Sequence, residues 1–496
     1  MFRSFRKLRP DKPGHGAGFS PQQPLLKFTK RDAWTIGDAC EGTQIFGGTG
    51  SGKTSGSGRA IAHAMLAAGF GGMVLTVKRD ERDTWLRYAE AAGRGNSVIV
   101  FSERHPHRFN FLEYLRRSVP QPSLAESVVE AFSTTLGAMS GGDRRSHADP
   151  FWQDSLNTLI RNAVSLIVLA GAELSLPLIA DVIASGPQDA GDLNDPAWRS
   201  SSECWRLLAA ADSAMSLGQP PYTRADSDLQ TTARYWCREF AGLAPNTRSS
   251  ITAMFTSKAD RLLRGQEREL FCEDLNISPE VTHDGAILII DIPVLEYGDF
   301  GRFAQVLWKH CWQRAAERRT VDDGTRPIFL WADEAQQFVT EQDAVFQSTA
   351  RSSRVCTVYL TQNLASYNVA MQGEGGQHAA ENLLGNLQTK IFHANSHAET
   401  NEWAERLAAK DWQTQVSTST QDGPQGGREG GASKGRTVTS STSRSLESLL
   451  LPQRFAELRT GGHANGGVVD GIVFQSGRVW RSTGRNFLQT SFKQSG

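Results

Sequence analysis

A glycine-rich segment near the amino terminus has the spacing of a phosphate-binding loop. It fits the pattern G-x-x-x-x-G-K-[ST], and its eight residues are Gly47, Gly48, Thr49, Gly50, Ser51, Gly52, Lys53 and Thr54. The glycines allow successive backbone N–H groups to turn toward phosphate oxygens. In this pattern the lysine reaches the β- and γ-phosphates, and the threonine hydroxyl holds Mg²⁺. The segment therefore predicts a site for ATP and Mg²⁺.

The flanking sequence decides between this interpretation and a glycine-rich turn without a ligand. A short apolar strand is predicted over 43–46, before the loop, and a helix over 59–68, after it. The start of a helix adds the positive end of its dipole to the backbone N–H groups. Because the strand, the spacing, the lysine and the threonine agree, we favour the phosphate-binding interpretation.

A second chemical element is an apolar strand that ends in two acids. The strand is predicted over 328–332, and Asp333 and Glu334 follow it. In P-loop ATPases the first acid supports Mg²⁺ through its water shell, and the second polarises the attacking water. Phosphoryl transfer needs little more from a protein than positioning and charge stabilisation. The alternative is a helix N-cap with a first-turn acid, but the upstream loop favours the catalytic interpretation.

An amide and two arginines flank another predicted strand, over 355–360. Gln362 follows the strand, where an amide can sense the γ-phosphate; a strand-end turn residue is the alternative. Arg351 and Arg354 precede the strand. An arginine that crosses a subunit boundary stabilises transition-state charge and is worth about 10³–10⁵ in rate. For each arginine the alternative is a solvated helix end.

Composition indicates a globular protein of two or three domains. The 496 residues are 39% hydrophobic and 21% charged, with a formal net charge of zero. A chain without an overall basic field must contact DNA through local patches or a pore. The six cysteines form no C-x-x-C pair, so we expect reduced thiols rather than disulfides or a zinc site.

No stretch reaches the 18 apolar residues of a spanning helix, and the first twelve residues have no apolar h-region, so we expect no signal peptide. We therefore expect a cytoplasmic protein, with peripheral contact at the inner membrane as an alternative. Residues 1–23 are expected to form a flexible basic amino terminus, whose alternative role is contact with an anionic membrane or a phosphate backbone.

Hydrophobic periodicity predicts an α/β protein with a mainly parallel sheet, helices on both faces and an inserted all-α domain. The first part of the nucleotide-binding domain is expected over 24–112 and the helical insertion over 113–275. The second part is expected over 276–496. Within it, 413–445 is rich in Ser, Thr, Gly and Gln, and we expect a disordered loop there.

The order of these motifs resembles the coupling ATPases of conjugative type IV secretion, the TraG/TraD class within the FtsK/HerA group of DNA motors. The resemblance spans nearly the whole chain from about residue 25. The segments that carry it are 47–54, 107–112, 151–154, 287–291, 331–335, Arg351, 359–362 and 449–454. Walker motifs alone are common, whereas the ordered set with a helical insertion is far more specific.

The resemblance implies a RecA-like core that assembles as a hexamer around single- or double-stranded DNA, with ATP at subunit boundaries. It makes Arg351 the arginine finger and Gln362 the motif III glutamine. The implied work is DNA-stimulated ATP hydrolysis that drives a relaxase–DNA complex toward a secretion channel. The implied partners are therefore DNA, the relaxase and the channel ATPases.

This sequence departs from the class in one respect, because such coupling proteins usually begin with transmembrane helices. We therefore expect a soluble variant. Two alternatives stay open: an FtsK/HerA-like DNA translocase outside secretion, and an ATP-gated adaptor that selects protein substrates through its helical domain.

Overall fold

The computed structural model describes residues 18–139, 150–371, 376–408, 410–424 and 434–494. Within these ranges the strands form one large sheet and two separate hairpins. The strands are β1 Pro24–Lys27, β2 Ala33–Thr35, β3 Thr43–Phe46, β4 Gly71–Leu75, β5 Val98–Phe101, β6 Ile287–Ile290, β7 Ile328–Ala332, β8 Val355–Thr361, β9 Thr389–Phe392, β10 Lys410–Pro424, β11 Lys434–Ser448, β12 Val468–Gln475 and β13 Phe487–Lys493.

Helices alternate with these strands along most of the chain. They are α1 Ile36–Cys40, α2 Arg59–Ala67, α3 Asp80–Ala91, α4 Phe111–Ser118, α5 Gln121–Met139, α6 Pro150–Leu169, α7 Leu176–Ala184, α8 Pro196–Ser201, α9 Glu203–Ser216, α10 Ala225–Arg234, α11 Pro245–Ala259, α12 Gly265–Arg268, α13 Val294–Arg318, α14 Glu341–Thr349, α15 Leu364–Ala370, α16 Gly376–Asn386, α17 Ala398–Leu407 and α18 Gln453–Ala456. No helix in the described ranges has the length and apolar character that a bilayer crossing requires.

The large sheet has nine strands in the order β13-β12-β9-β3-β8-β7-β4-β6-β5. The seven strands from β9 to β5 in this order pair in parallel. Strand β12 pairs antiparallel with β9 on one side and with β13 on the other. Every residue of β3, β4, β6, β7, β8 and β9 is buried. A parallel sheet covered on both faces has this continuous burial, and the predicted α/β class is confirmed.

Side chains that alternate along a strand belong to two different cores. In β7, Leu330 packs into one core, and its neighbours Phe329 and Trp331 pack into the other. Trp85 of α3 lies in the second core, and Trp308 of α13 lies in the first. The sheet is therefore sandwiched, with α3 on one face and α13 on the other.

Helices α4 to α12 fill the interval between β5 and β6. Their apolar side chains, such as Leu159 of α6, belong to the same core as Trp308 of α13. An ion pair between Arg314 of α13 and Glu130 of α5 adds a polar contact. The helical region thus packs directly on one face of the large sheet.

The structure corrects the expectation of a disordered loop over 413–445. Strands β10 and β11 form an antiparallel ladder that runs from Lys410 opposite Ser448 to Pro424 opposite Lys434. Threonine favours extended backbone, and the ladder satisfies the main-chain groups without requiring a buried core. Residues 425–433, which the same expectation covered, lie outside the described residues, as do residues 1–17 of the expected basic terminus.

Candidate active site

The three strands that carry the candidate site lie side by side. Strand β8 pairs with β3 on one side and with β7 on the other, and all three run parallel. Their carboxyl ends therefore share one edge, where ligands bind in open α/β sheets. The glycine-rich loop follows β3, the two acids follow β7, and Gln362 follows β8. We call this the carboxyl edge.

The glycine-rich loop has the backbone shape of an anion cradle. Gly50 and Gly52 have φ values of 73° and 82°, a region that favours glycine. A Cβ at Gly52 would also lie 2.5 Å from the side chain of Val469. In the described part of the chain, the buried Ser51 hydroxyl has no hydrogen-bond partner. A buried hydroxyl of this kind suits a loop that hydrogen-bonds to a phosphate.

The residues after the loop place a hydroxyl next to the first acid. Thr54 begins a π-helical turn over Thr54–Gly58 that continues into α2. Its Oγ1 donates to Oδ2 of Asp333 at 2.5 Å, and Oδ1 of the same carboxylate accepts from the Glu334 N–H at 2.9 Å. Hard oxygen donors of this type suit Mg²⁺, so Thr54 and Asp333 fit the predicted metal site.

The second acid faces the loop lysine. Lys53 Nζ lies 3.4 Å from Glu334 Oε1, and the two side chains are 11% and 12% exposed. Glu334 has a φ of 51°, unusual for a residue with a Cβ. Backbone strain of this kind concentrates at functional sites. The turn thereby places the carboxylate beside the Lys53 ammonium.

Neighbouring groups keep Glu334 ionised. Burial alone would raise its pKa, but hydrogen bonds from Gln336 and Gln362 and the charge of Lys53 outweigh burial and lower it. The contact from Gln336 Nε2 to Glu334 Oε2 measures 2.8 Å. An ionised carboxylate at neutral pH can accept hydrogen bonds from a water molecule and orient it for attack.

Two polar residues at this edge were not predicted from the sequence. Gln336 accepts from the Thr361 hydroxyl at 2.7 Å, which fixes its amide so that its Nε2 faces Glu334. Glu81 lies near Asp333; burial raises the pKa of Glu81 to about 8, against the hydrogen bond from the Val77 N–H. The sequence signal that could have identified them is their position, since each comes after the carboxyl end of a strand in this sheet.

The two arginines lie away from this cluster. Both precede β8, whose seven residues span about 20 Å, so they lie at the opposite, amino edge of the sheet. The Arg351 side chain is 72% exposed and pairs with Glu41 at 2.9 Å. The buried Arg354 guanidinium donates to the carbonyls of Phe19, Thr325 and Asp323 at 2.8, 2.9 and 3.3 Å. Arg354 therefore has a structural role, whereas the Arg351 guanidinium is accessible to solvent.

The sheet and the glycine-rich loop at its carboxyl edge have the architecture of the P-loop NTPase fold. Residues 327–460, which contain both acids and Gln362, match the family model described as the TraM recognition site of TraD and TraG. This segment is similar to the TraG/TraD family, and the predicted resemblance is confirmed. None of the curated protein sequences matches the chain.

Solved structures of the plasmid coupling protein TrwB share the fold. The TrwB complex with ADP and Mg²⁺ has a TM-score of 0.58 at 14% identity, covering 97% of this chain and 96% of that one. The complex with the ATP analogue ADPNP has a TM-score of 0.57 at 14% identity and the same coverage. The complex with the GTP analogue GDPNP has a TM-score of 0.58 at 13% identity, covering 96% and 91%.

Proposed function

We propose that this protein is an ATP-hydrolysing motor that moves DNA, and that it serves as the coupling protein of a conjugative secretion system. The observation that carries the proposal is the pair of contacts across the carboxyl edge, Thr54 to Asp333 and Lys53 to Glu334. They join the phosphate-binding loop to two acids in the arrangement that phosphoryl transfer requires.

Each group at this edge has a separate task in the proposal. Backbone N–H groups of the loop and the Lys53 ammonium hold the phosphates, while Thr54 and Asp333 hold Mg²⁺. When bound, the metal neutralises developing phosphate charge. Glu334 orients and deprotonates the attacking water, and Gln362 senses the γ-phosphate. ATP and Mg²⁺ are the proposed cofactors, as the bound states of TrwB support.

The proposal completes the site with a second subunit. Arg351 lies at the opposite edge from the phosphates of its own chain, and its guanidinium is exposed. We propose a homo-hexamer in which Arg351 of one subunit reaches the ATP of its neighbour. Such an arginine stabilises charge only after assembly, which makes hydrolysis depend on the ring.

The proposed substrate is DNA, delivered by a relaxase to a type IV secretion channel. The similarity to TraD, TraG and TrwB supports this assignment. We propose that 327–460 also contributes to recognition of a partner protein, as the name of its family model indicates for TraD and TraG. The work would take place in the cytoplasm, where ATP and DNA are available, with only peripheral membrane contact.

The test is ATP turnover with and without single- and double-stranded DNA over a salt series. We expect DNA of any sequence to raise turnover, and the stimulation to fall steeply with salt because each neutralised phosphate releases counterions. Flat turnover in a preparation that binds nucleotide and forms rings would contradict the motor and favour an ATP-gated adaptor. DNA stimulation without capture of a relaxase–DNA complex would favour a translocase outside secretion.

A further inference from the structure

The three residues after β9 contact both the glycine-rich loop and the strand before it. The His393 N–H donates to the Phe46 carbonyl at 2.8 Å, and the Gly48 N–H donates to the Ala394 carbonyl at 2.9 Å. We call His393, Ala394 and Asn395 the β9 brace. Since Gly48 lies inside the loop, the brace holds phosphate-binding backbone directly.

The His393 side chain holds the helix that follows the loop. It is fully buried, and Nδ1 lies 2.8 Å from the Asp470 carbonyl, which only accepts hydrogen bonds. Nδ1 therefore carries the proton, and Nε2 accepts from the Ser57 hydroxyl at 2.6 Å. Ser57 lies three residues beyond Thr54, in the same π-helical turn. The imidazole thus ties this turn to strand β12.

The Asn395 side chain instead contacts the backbone of Gln362, the residue that follows β8. Its Nδ2 donates to the Gln362 carbonyl at 2.8 Å, and its Oδ1 accepts from the His397 N–H at 2.9 Å. Asn401 fixes the backbone beneath it by donating to the Asn395 carbonyl at 2.9 Å. The amide is therefore held at both ends, and it fixes the backbone from which the Gln362 side chain extends.

We propose that the β9 brace positions the active site through two separable contacts: His393 sets the nucleotide-binding turn through Ser57, and Asn395 sets the sensor Gln362. The inference rests on the proposed ATPase function. Both are positioning residues, because they act through other residues. Loss of the His393 contact should weaken nucleotide binding, and loss of the Asn395 contact should slow turnover of bound nucleotide.

The His393 contact can be tested by a double-mutant cycle. His393→Phe keeps an aromatic ring in the core, and Ser57→Ala removes only the partner hydroxyl. We expect each change to raise the Kd of a fluorescent ATP analogue about fivefold, the worth of one hydrogen bond. The double variant should be no worse, because both changes break the same contact. Additive effects, or an unchanged Kd in Ser57→Ala, would overturn this half of the inference.

The Asn395 contact is tested with Asn395→Leu and with Asn395→Asp, which keeps the acceptor for His397 and loses the donor. We expect an unchanged Kd and a kcat lower by about tenfold, since removal of a positioning contact acts on the transition state. The matched control is Asn386→Leu, whose Nδ2 donates to the Ala344 carbonyl at 3.0 Å, away from the site. It should keep the wild-type kcat.

Two results separate this inference from the proposed function. A wild-type protein that binds ATP without hydrolysing it defeats the proposed function itself. If the wild-type protein is active and the Asn395 variants have a normal kcat, only the positioning role of the β9 brace is contradicted. Variants that lose binding and turnover together, with a lower Tm, would show a merely structural role and also overturn the inference.

Discussion

The two edges of the central sheet differ in how complete they are within one chain. At the carboxyl edge, Thr54 contacts Asp333 and Lys53 contacts Glu334, and these side chains are mostly buried. At the amino edge, Arg351 is exposed and makes an ion pair with Glu41. The groups that we propose to bind and orient ATP are thus fixed by the fold, whereas Arg351 has the exposure that contact with another subunit requires.

This difference has an energetic basis. Buried and fully hydrogen-bonded polar groups are rigid, because any displacement leaves a partner unsatisfied. An exposed ion pair is worth at most about 1 kcal/mol and is readily exchanged for another partner. Substitutions at the carboxyl edge should therefore act within a single subunit, and substitutions at Arg351 should act on the neighbouring one.

The largest effect is expected for Glu334→Gln. Loss of the carboxylate removes activation of water and should lower kcat by about 10⁴-fold, while the Kd for ATP stays unchanged. Lys53→Ala is the matched contrast, since it removes the phosphate-facing charge and should weaken binding. Turnover and nucleotide titrations measure both quantities. Wild-type turnover by Glu334→Gln would show that another residue is the base.

A drop of about 10³-fold in kcat is expected for Arg351→Ala, again with unchanged ATP binding. Mixing this variant with Glu334→Gln should restore part of the activity, because some boundaries then join an intact Glu334 to an intact Arg351. Arg354→Ala should instead lower the Tm, because three backbone carbonyls lose the hydrogen bonds that the guanidinium donates to them. Proven co-assembly without recovered activity would exclude Arg351 as the finger.

Much of the carboxyl edge could be predicted from local sequence. The loop before α2, the acids after β7 and Gln362 after β8 are each marked by an apolar strand that ends in polar residues. A parallel sheet must bring such ends together, so their proximity follows from the fold class. The TraG/TraD resemblance rested on the order of these segments together with 107–112, 151–154, 287–291, Arg351 and 449–454.

The rest depended on contacts that local sequence does not encode. Arg354 differs from Arg351 only by its burial against the carbonyls of distant residues such as Phe19. Gln336 and the β9 brace act through partners that become neighbours only in the folded sheet. The pairing of β10 with β11 was missed because these strands have too few apolar residues to suggest a packed element, although pairing in register satisfies their backbone.

The carboxyl edge should also lose stability in acid through His393. Burial lowers the pKa of His393 to about 4, and the Lys53 charge adds to this against the bond to the Asp470 carbonyl. Between about pH 4 and pH 6.5 the unfolded chain then binds more protons at this histidine than the folded chain does. The free energy of unfolding is therefore highest above pH 6.5 and decreases as the pH is lowered through this window. This contribution is about 3 kcal/mol at most. His393→Phe should flatten the dependence of Tm on pH there; an unchanged slope would contradict it.

The smallest effect is expected at the amino edge, for Glu41→Gln. Burial raises the pKa of Glu41, the Arg351 charge opposes this, and Gln475 donates to the same carboxylate at 3.0 Å. The carboxylate is therefore anchored, but its arginine partner is exposed. Loss of such a pair costs at most about 1 kcal/mol, which corresponds to a change of no more than about fivefold in kcat.

The comparison of the two edges depends on the sign and size of the change in kcat that Glu41→Gln causes. If Glu41 only holds Arg351 until a neighbouring ATP attracts it, Glu41→Gln should keep or slightly raise kcat in assembled rings, and the Kd for ATP should not move. Measurements at low and high salt provide the control, because salt screens the wild-type pair and should bring the two proteins together. A loss as large as that of Arg351→Ala would mean that Glu41 is an essential part of the finger, and that the amino edge is as rigidly organised as the carboxyl edge.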